Sequence, residues 1–235
     1  MLMLFITITS FAQTKTTRVV IDQNTVVKDE SGMVMPYIAW KKIISGGEHS
    51  LKPVAPGSAE FVLYKMSPEE KAKNAERKRL AALNMPKPRV SDAFKEGEKF
   101  DGEKLTDLAG TKFDLRETGN KIYVINFWFI NCPPCKQEIP ELNQMVERYK
   151  DQKDVVFIAI ALDDKTDLKN FIKTSPFNYN IIHDGRYYAT KYGVKSYPTH
   201  VIVGKDGLIK FSTLGLAPNT IYWLDKTIAA QLTGS

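Results

Sequence analysis

At 235 residues, with 43% hydrophobic and 26% charged side chains, the chain is long enough for one globular domain plus a smaller module and carries no signature of disorder. The formal charge of +6 is unevenly placed: residues 13–97 hold 15 Lys and Arg against 10 Asp and Glu, a balance of +5, and residues 98–235 hold 18 against 17, a balance of +1. So mild an excess, with no basic stripe interleaved by aromatics, argues against nucleic-acid binding, and two cysteines cannot build a disulfide framework or a Cys-rich zinc cage.

Residues 1–12 are apolar and uncharged and end in Ser10-Phe11-Ala12, like the core and cleavage site of a secretory signal, although the basic leading stretch of such signals is missing. Twelve residues are too few to cross a bilayer, which takes about 20 apolar residues, so no integral span is expected in the mature chain. No cysteine follows the cleavage site, which argues against lipid attachment there. Residues 13–66 form a small β-rich module. Strands are expected over residues 16–22 and 60–65, with turns at Gly46-Gly47 and residues 53–57, and the apolar stretch 34–44 around Tyr37 and Trp40 has to pack against something. His49 stands alone and is not read as a ligand. Residues 67–96 read as a charged linker helix, because Ser67-Pro68-Glu69-Glu70 is a capping box with proline at the first helical position and Pro86 and Pro88 stop it.

From residue 97 onward, strands and helices alternate. A hairpin is expected over 104–115, a central strand over 122–128, and a helix over 132–150 with a bend at Pro140. The run 154–161 is continuously apolar, as a parallel strand covered on both faces should be. A helix over 166–175, a strand over 179–183, a helix over 186–192, strands over 199–203 and 208–213 and a helix over 218–232 complete the pattern. The central feature is Cys132-Pro133-Pro134-Cys135, which holds both cysteines of the chain at a strand-to-helix junction. The unpaired N–H groups and positive dipole end of a helix stabilise a thiolate at its first residue, and proline at the first helical position loses no hydrogen bond there. A dithiol/disulfide redox centre is the reading.

The segment carrying Asn126-Phe127-Trp128, the C-x-x-C, Glu138 and Pro140, together with Tyr197-Pro198-Thr199 before an apolar strand, resembles the TlpA/ResA-like extracytoplasmic thiol-disulfide oxidoreductases of the redoxin (AhpC/TSA) superfamily. The resemblance covers about residues 97–233. It implies an α/β, thioredoxin-like fold over residues 97–235, a central mixed sheet flanked by helices, with the small β-rich module ahead of it. The helix at 166–175 matches the insertion that sets this family apart from plain thioredoxin. By the same resemblance, the Tyr197-Pro198 peptide is cis and faces the dithiol, leaving the backbone of residue 197 to pair with an extended substrate. Tyr197, Pro133, Pro134 and Trp128 are then the substrate-side residues, with Trp128 more suited to packing the base of the site.

Roles follow for the redox pair. Cys132 is expected to be the exposed nucleophile and Cys135, one turn inside, the resolving thiol. Plain thioredoxins place an Asp two residues before the Trp; Asn126 stands there and cannot accept a proton. The resemblance implicates Glu138 instead, which the i, i+3 spacing puts on the same helix face as Cys135. Asn131 replaces the Trp that many relatives carry before the first cysteine, which changes the substrate rim. The resemblance further implies oxidised exported proteins as substrates, a membrane thiol electron donor, an extracytoplasmic location (bacterial periplasm or cell envelope), and neither cofactor nor metal. Two alternatives stand beside this reading. A peroxiredoxin-like peroxidase needs Thr and Pro before its cysteine, where this chain has Phe129-Ile130-Asn131. A copper-chaperone-like module would have to recruit His183 or His200.

Overall fold

The computed structural model describes residues 21–234. Residues 1–20 lie outside that range, and with them the signal-like segment and most of the strand expected over 16–22; Ile21 and Asp22 are not in a strand. The first described module is a four-stranded sheet with one helix. Strands β1 (Val27–Lys28), β2 (Val34–Met35), β3 (His49–Pro53) and β4 (Phe61–Lys65) are ordered β2-β1-β4-β3, with β1 and β4 parallel and the other pairs antiparallel. Between β2 and β3, the apolar stretch around Trp40 forms helix α1 (Tyr37–Ser45). Trp40 closes a core of its own with Val27, Phe61 and Leu63.

Helix α2 (Pro68–Leu83) starts at the expected capping box: Ser67 accepts from the Glu70 N–H at 3.1 Å, and the Glu70 carboxylate accepts from the Ser67 N–H at 2.8 Å. The segment after α2 runs along the next domain. Asn219 donates to the Pro86 carbonyl at 2.9 Å, the Leu214 N–H to the Arg89 carbonyl at 3.0 Å and the Ser212 hydroxyl to the Phe94 carbonyl at 2.6 Å. Phe94 is buried against Phe100, Phe127 and Tyr192.

The larger domain opens with a two-stranded hairpin, β5 (Lys104–Thr106) and β6 (Lys112–Asp114). Its main sheet comprises β7 (Ile122–Trp128), β8 (Val155–Ala161), β9 (Asn180–Ile182), β10 (Thr199–Val203) and β11 (Ile209–Leu214), in the order β11-β10-β7-β8-β9. Strands β7, β8 and β9 are parallel, while β10 and β11 run antiparallel to their neighbours. Every residue of β7 is buried, as a central strand covered on both faces requires. Helices α3 (Pro133–Arg148), α4 (Lys165–Thr174) and α6 (Thr220–Thr233) contribute Leu142, Leu168 and Leu224 to the core on one face, with Val124 and Trp128 of β7. On the other face, Ile125 and Phe127 pack with Ala189 of α5 (Arg186–Tyr192) and with Phe94 and Phe100. The helix continues through Pro140 to Arg148.

The first module rests on the outer face of α3. Gln144 donates to the Gly46 carbonyl at 3.1 Å, and Lys78 of α2 pairs with Glu141 at 2.6 Å. Gly47, beside the Gln144 side chain, adopts φ +76°, a left-handed conformation that favours glycine.

Candidate active site

The site forms where β7 ends and α3 begins. Cys132 is the N-cap of α3, Pro133 and Pro134 fill the first helical positions, and Cys132 and Cys135 are joined in a disulfide. The Cys135 N–H donates to Cys132 Sγ at 3.3 Å, one of the free helix-end donors aimed at the sulfur, which favours a negative charge there once the bond is reduced. The connecting loop is held from both sides: the Ile130 N–H donates to the Asp163 carboxylate at 2.8 Å, and the Cys132 N–H to the Phe129 carbonyl at 3.2 Å.

Cys132 is not exposed as the sequence suggests. It retains 2% of its surface, because its sulfur, bonded to Cys135, joins the core cluster against which Phe129, Ile130 and Tyr197 pack. What the rim offers to solvent is Pro133, exposed, and Pro134, half-buried. The Tyr197-Pro198 peptide is cis, Pro198 is buried, and the half-buried Tyr197 ring meets Phe129 edge-on at 5.4 Å. The proline loop is braced by the Gly215 N–H on the Pro198 carbonyl at 2.7 Å and by the Thr199 hydroxyl on the Ser196 carbonyl at 2.7 Å. Trp128 does not belong to the substrate side. It is fully buried, edge-on to Phe177 at 5.2 Å and tilted against Phe171 at 5.5 Å, so it fills the floor of the site.

Glu138 lies one turn below Cys135 on the buried face of α3, and both are inaccessible at 4% and 1% exposure. Its carboxylate is not alone. His200 Nε2 lies 3.0 Å from Oε1 and 3.1 Å from Oε2, and the Asn126 amide donates to Oε1 at 3.4 Å. Sheet register explains the meeting: Asn126 on β7 is directly opposite His200 on β10, so both side chains leave the sheet on the side that α3 covers. The Tyr179 hydroxyl is also buried nearby; burial first, and the Glu138 carboxylate second, push its pKa well above the ordinary tyrosine range. The sequence pattern had no way to give Glu138 this histidine partner. The strand alternation of residues 199–203 shows only that His200 shares a face with Ile202; which residue it meets depends on the pairing of two strands far apart in the chain.

His183 is at the surface, paired with the Asp184 carboxylate at 2.5 Å. Among the described residues no group of three His, Cys, Asp or Glu side chains is placed to hold a metal ion, and no helix is long and apolar enough to cross a membrane.

A β-sheet flanked by helices on both faces, with a C-x-x-C disulfide at a strand-to-helix junction and a cis-proline loop beside it, defines a thioredoxin-fold redox protein. Similarity to known proteins agrees. The model of the AhpC/TSA family matches residues 97–212. The thiol-disulfide oxidoreductase ResA of Bacillus thuringiensis (strain Al Hakam) is 34% identical over 114 residues, 47% of this chain and 65% of that relative, so the chain spans less than two thirds of it. The thioredoxin-like protein YneN of Bacillus subtilis (strain 168) is 30% identical over 119 residues, 50% of this chain and 70% of YneN. A crystal structure described as thiol:disulfide interchange protein DsbE of Chlorobium tepidum superposes with a TM-score of 0.54 at 27% identity, over 59% of this chain and 99% of that one. The chain belongs with the thioredoxin-like proteins represented by YneN, and over residues 97–212 it is similar to the AhpC/TSA family.

Proposed function

We propose that the protein is a thiol-disulfide oxidoreductase that reduces disulfides of exported proteins. The observation that carries this reading is the Cys132–Cys135 disulfide capping α3 above the buried carboxylate of Glu138. In the reduced protein the Cys132 thiolate attacks one sulfur of a substrate disulfide, forming a mixed disulfide and releasing the other sulfur as a thiolate. Cys135 gives up its proton and attacks Cys132 Sγ. The mixed disulfide breaks, the second substrate thiolate leaves, and the enzyme pair is oxidised by two electrons as the substrate is reduced by two. Glu138 is the group placed to take the Cys135 proton, since it shares the helix face one turn away and Asn126 cannot. Tyr197, Pro133 and Pro134 form the surface a polypeptide substrate would meet, with the buried cis Pro198 shaping the backbone of Tyr197.

The names of the relatives, ResA and DsbE, support this class of chemistry. An extracytoplasmic location, with residues 1–12 acting as a secretory signal and a membrane thiol protein returning electrons, is part of the same reading. The described residues 21–66 of the first module and helix α2 serve as a docking platform on the outer face of α3, their contact being polar (Gln144 to Gly46, Lys78 to Glu141).

Equilibration of the Cys132–Cys135 pair with glutathione tests the direction of electron flow. A reduction potential of roughly −230 to −270 mV is expected of an electron donor, whereas a value near about −120 mV would make the protein an oxidant and reverse the assignment.

A further inference from the structure

His200 carries two observations that neither the fold nor the redox pair requires. It is fully buried, at 0% exposure, in a strand otherwise occupied by Thr, Val and Ile. Its only hydrogen-bonding partner among the described residues is Glu138, and its other ring nitrogen, Nδ1, is buried with no partner. A buried imidazole with one nitrogen unpaired is a cost to folding that an aliphatic side chain on this strand would avoid. Asn126, directly opposite, likewise keeps an unpaired Oδ1. The polar groups under Cys135 are therefore held for their contact with the carboxylate.

We infer that His200 is a positioning and proton-sharing residue for Glu138, so that the base serving Cys135 is the Glu138–His200 couple. This rests on the thiol-disulfide reading above. An ionised carboxylate isolated among apolar side chains is strongly disfavoured, and a donor or counter-charge is what makes it tolerable. With Nε2–H donating to the carboxylate, the couple carries one negative charge and is ready to accept. When the Cys135 S–H bond breaks, its proton goes to the couple, as carboxylic acid beside neutral imidazole or as carboxylate beside imidazolium. Both forms are neutral overall, so the proton is taken up without leaving net charge on the couple. The electron pair left on Cys135 sulfur then forms the bond to Cys132 Sγ, and the substrate thiolate departs. Asn126 donates to the same carboxylate oxygen and fixes its orientation without taking part in the transfer. The titratable groups facing the couple are Cys135 from α3 and Tyr179 from the segment entering β9.

The test compares the reduced wild-type protein with His200→Gln, Glu138→Gln and the double variant. Glutamine at 200 can still donate to Glu138 but cannot carry the proton, so it separates holding from sharing. Insulin disulfides serve as substrate and iodoacetamide alkylation of Cys132 as a second readout, both followed from about pH 5 to 8. His200→Gln should slow disulfide reduction near neutrality by about tenfold or more and change the shape of the pH profile, and adding it to Glu138→Gln should cause little further loss. A His200→Gln protein with the wild-type profile, or losses that multiply in the double variant, overturns the inference. If His200→Gln fails to fold, the ring nitrogen signals of His200 in labelled, reduced wild-type protein decide. They should show the Nε2 proton directed at the carboxylate and should move in Glu138→Gln; signals identical in the two proteins overturn the inference. A wild-type protein that cannot reduce insulin disulfides rejects the underlying activity, whereas an active wild type with an indifferent His200 rejects only the couple.

Discussion

Asp163, just past the end of β8, accepts the backbone N–H of Ile130 at 2.8 Å, and Ile130 precedes the redox pair by two residues. The same turn is tied again by the Leu162 N–H on the Trp128 carbonyl at 3.1 Å and the Asp184 N–H on the Asp163 carbonyl at 2.9 Å. Three strand ends thus fix the loop that delivers Cys132 to the helix N-terminus. A dithiol at a helix end is useful only if the first sulfur is held over the free N–H groups, and Asp163 is one side chain that holds it.

Asp163→Ala should therefore destabilise the protein by about 1.5 kcal/mol, the worth of a hydrogen bond to a charged acceptor, and Asp163→Asn by less because it keeps an acceptor. Urea denaturation of the oxidised protein measures this. Indistinguishable midpoints for wild type and Asp163→Ala would mean that the loop is set by the backbone contacts alone.

Truncation separates two parts of the chain that the sequence joins. Residues 67–96 read as one charged linker helix, yet α2 ends at Leu83, and the stretch from Pro86 to Phe94 hydrogen-bonds to β11 and to the start of α6. Phe94, at 2% exposure, belongs to the core beneath β7 and α5. The first module keeps its own core around Trp40, and with α2 it meets α3 through polar contacts at Gln144 and Glu141. A protein starting at residue 85 should fold and bind thiol reagents as the whole chain does. One starting at residue 97 loses Phe94 and should be destabilised by about 3 to 5 kcal/mol, the range for removing a buried phenylalanine. Circular dichroism melts of the two proteins check this, and equal melting temperatures would contradict it.

What could be read from the chain, and what could not, follows from the range of each interaction. The C-x-x-C, the strand before it and the Ser67 capping box are local patterns that local physics places within a residue or two, whereas the cis Tyr197-Pro198 peptide is legible only through the family resemblance. The i, i+3 relation of Cys135 and Glu138 is also local, and both face inward as the helix period requires. Helix α1 was hidden because Tyr37, Trp40, Ile43 and Ile44 form a short apolar run that suits a strand as well as a helix. The partnership of Glu138 with His200 spans 62 residues and depends on the pairing of β10 with β7. The burial of Cys132 and of Trp128 comes from packing against Phe171, Phe177 and Tyr197, which lie far along the chain. Burial and long-range pairing are properties of the assembled sheet.

The order of the two thiols can be checked directly. Cys132→Ser should abolish disulfide reduction, since the helix-end sulfur is gone. Cys135→Ser should stop at the mixed disulfide, because the sulfur that resolves it is missing. Mass spectrometry of the Cys135→Ser protein after incubation with an oxidised peptide should show one covalent adduct on Cys132. An adduct confined to Cys135 in the Cys132→Ser protein, with none in the converse variant, would reverse the roles.

A second pair of residues, remote from the site, gives the protein a defined response to acid. Arg116 forks onto Asp114 of β6, Nε to Oδ1 at 2.8 Å and the guanidinium to Oδ2 at 2.5 Å. The Arg116 hydrogen bonds, the largest cause, hold the Asp114 carboxyl down to about 2 from an ordinary 3.8. With the folded value below the unfolded one, the pair contributes stability above about pH 3.8, and that contribution disappears as the pH falls toward about 2. Both side chains are exposed, at 54% for Arg116 and 41% for Asp114, so the effect is small and weakened by salt. Asp114→Asn should accordingly melt below wild type at pH 7 in low salt, and the gap should close near about pH 2, where wild-type Asp114 is itself becoming neutral. Melting curves across this range measure the gap. A difference that stayed constant from pH 7 to about pH 2 would show that the asparagine disturbs the hairpin by packing, and that the Arg116 charge has no part in it.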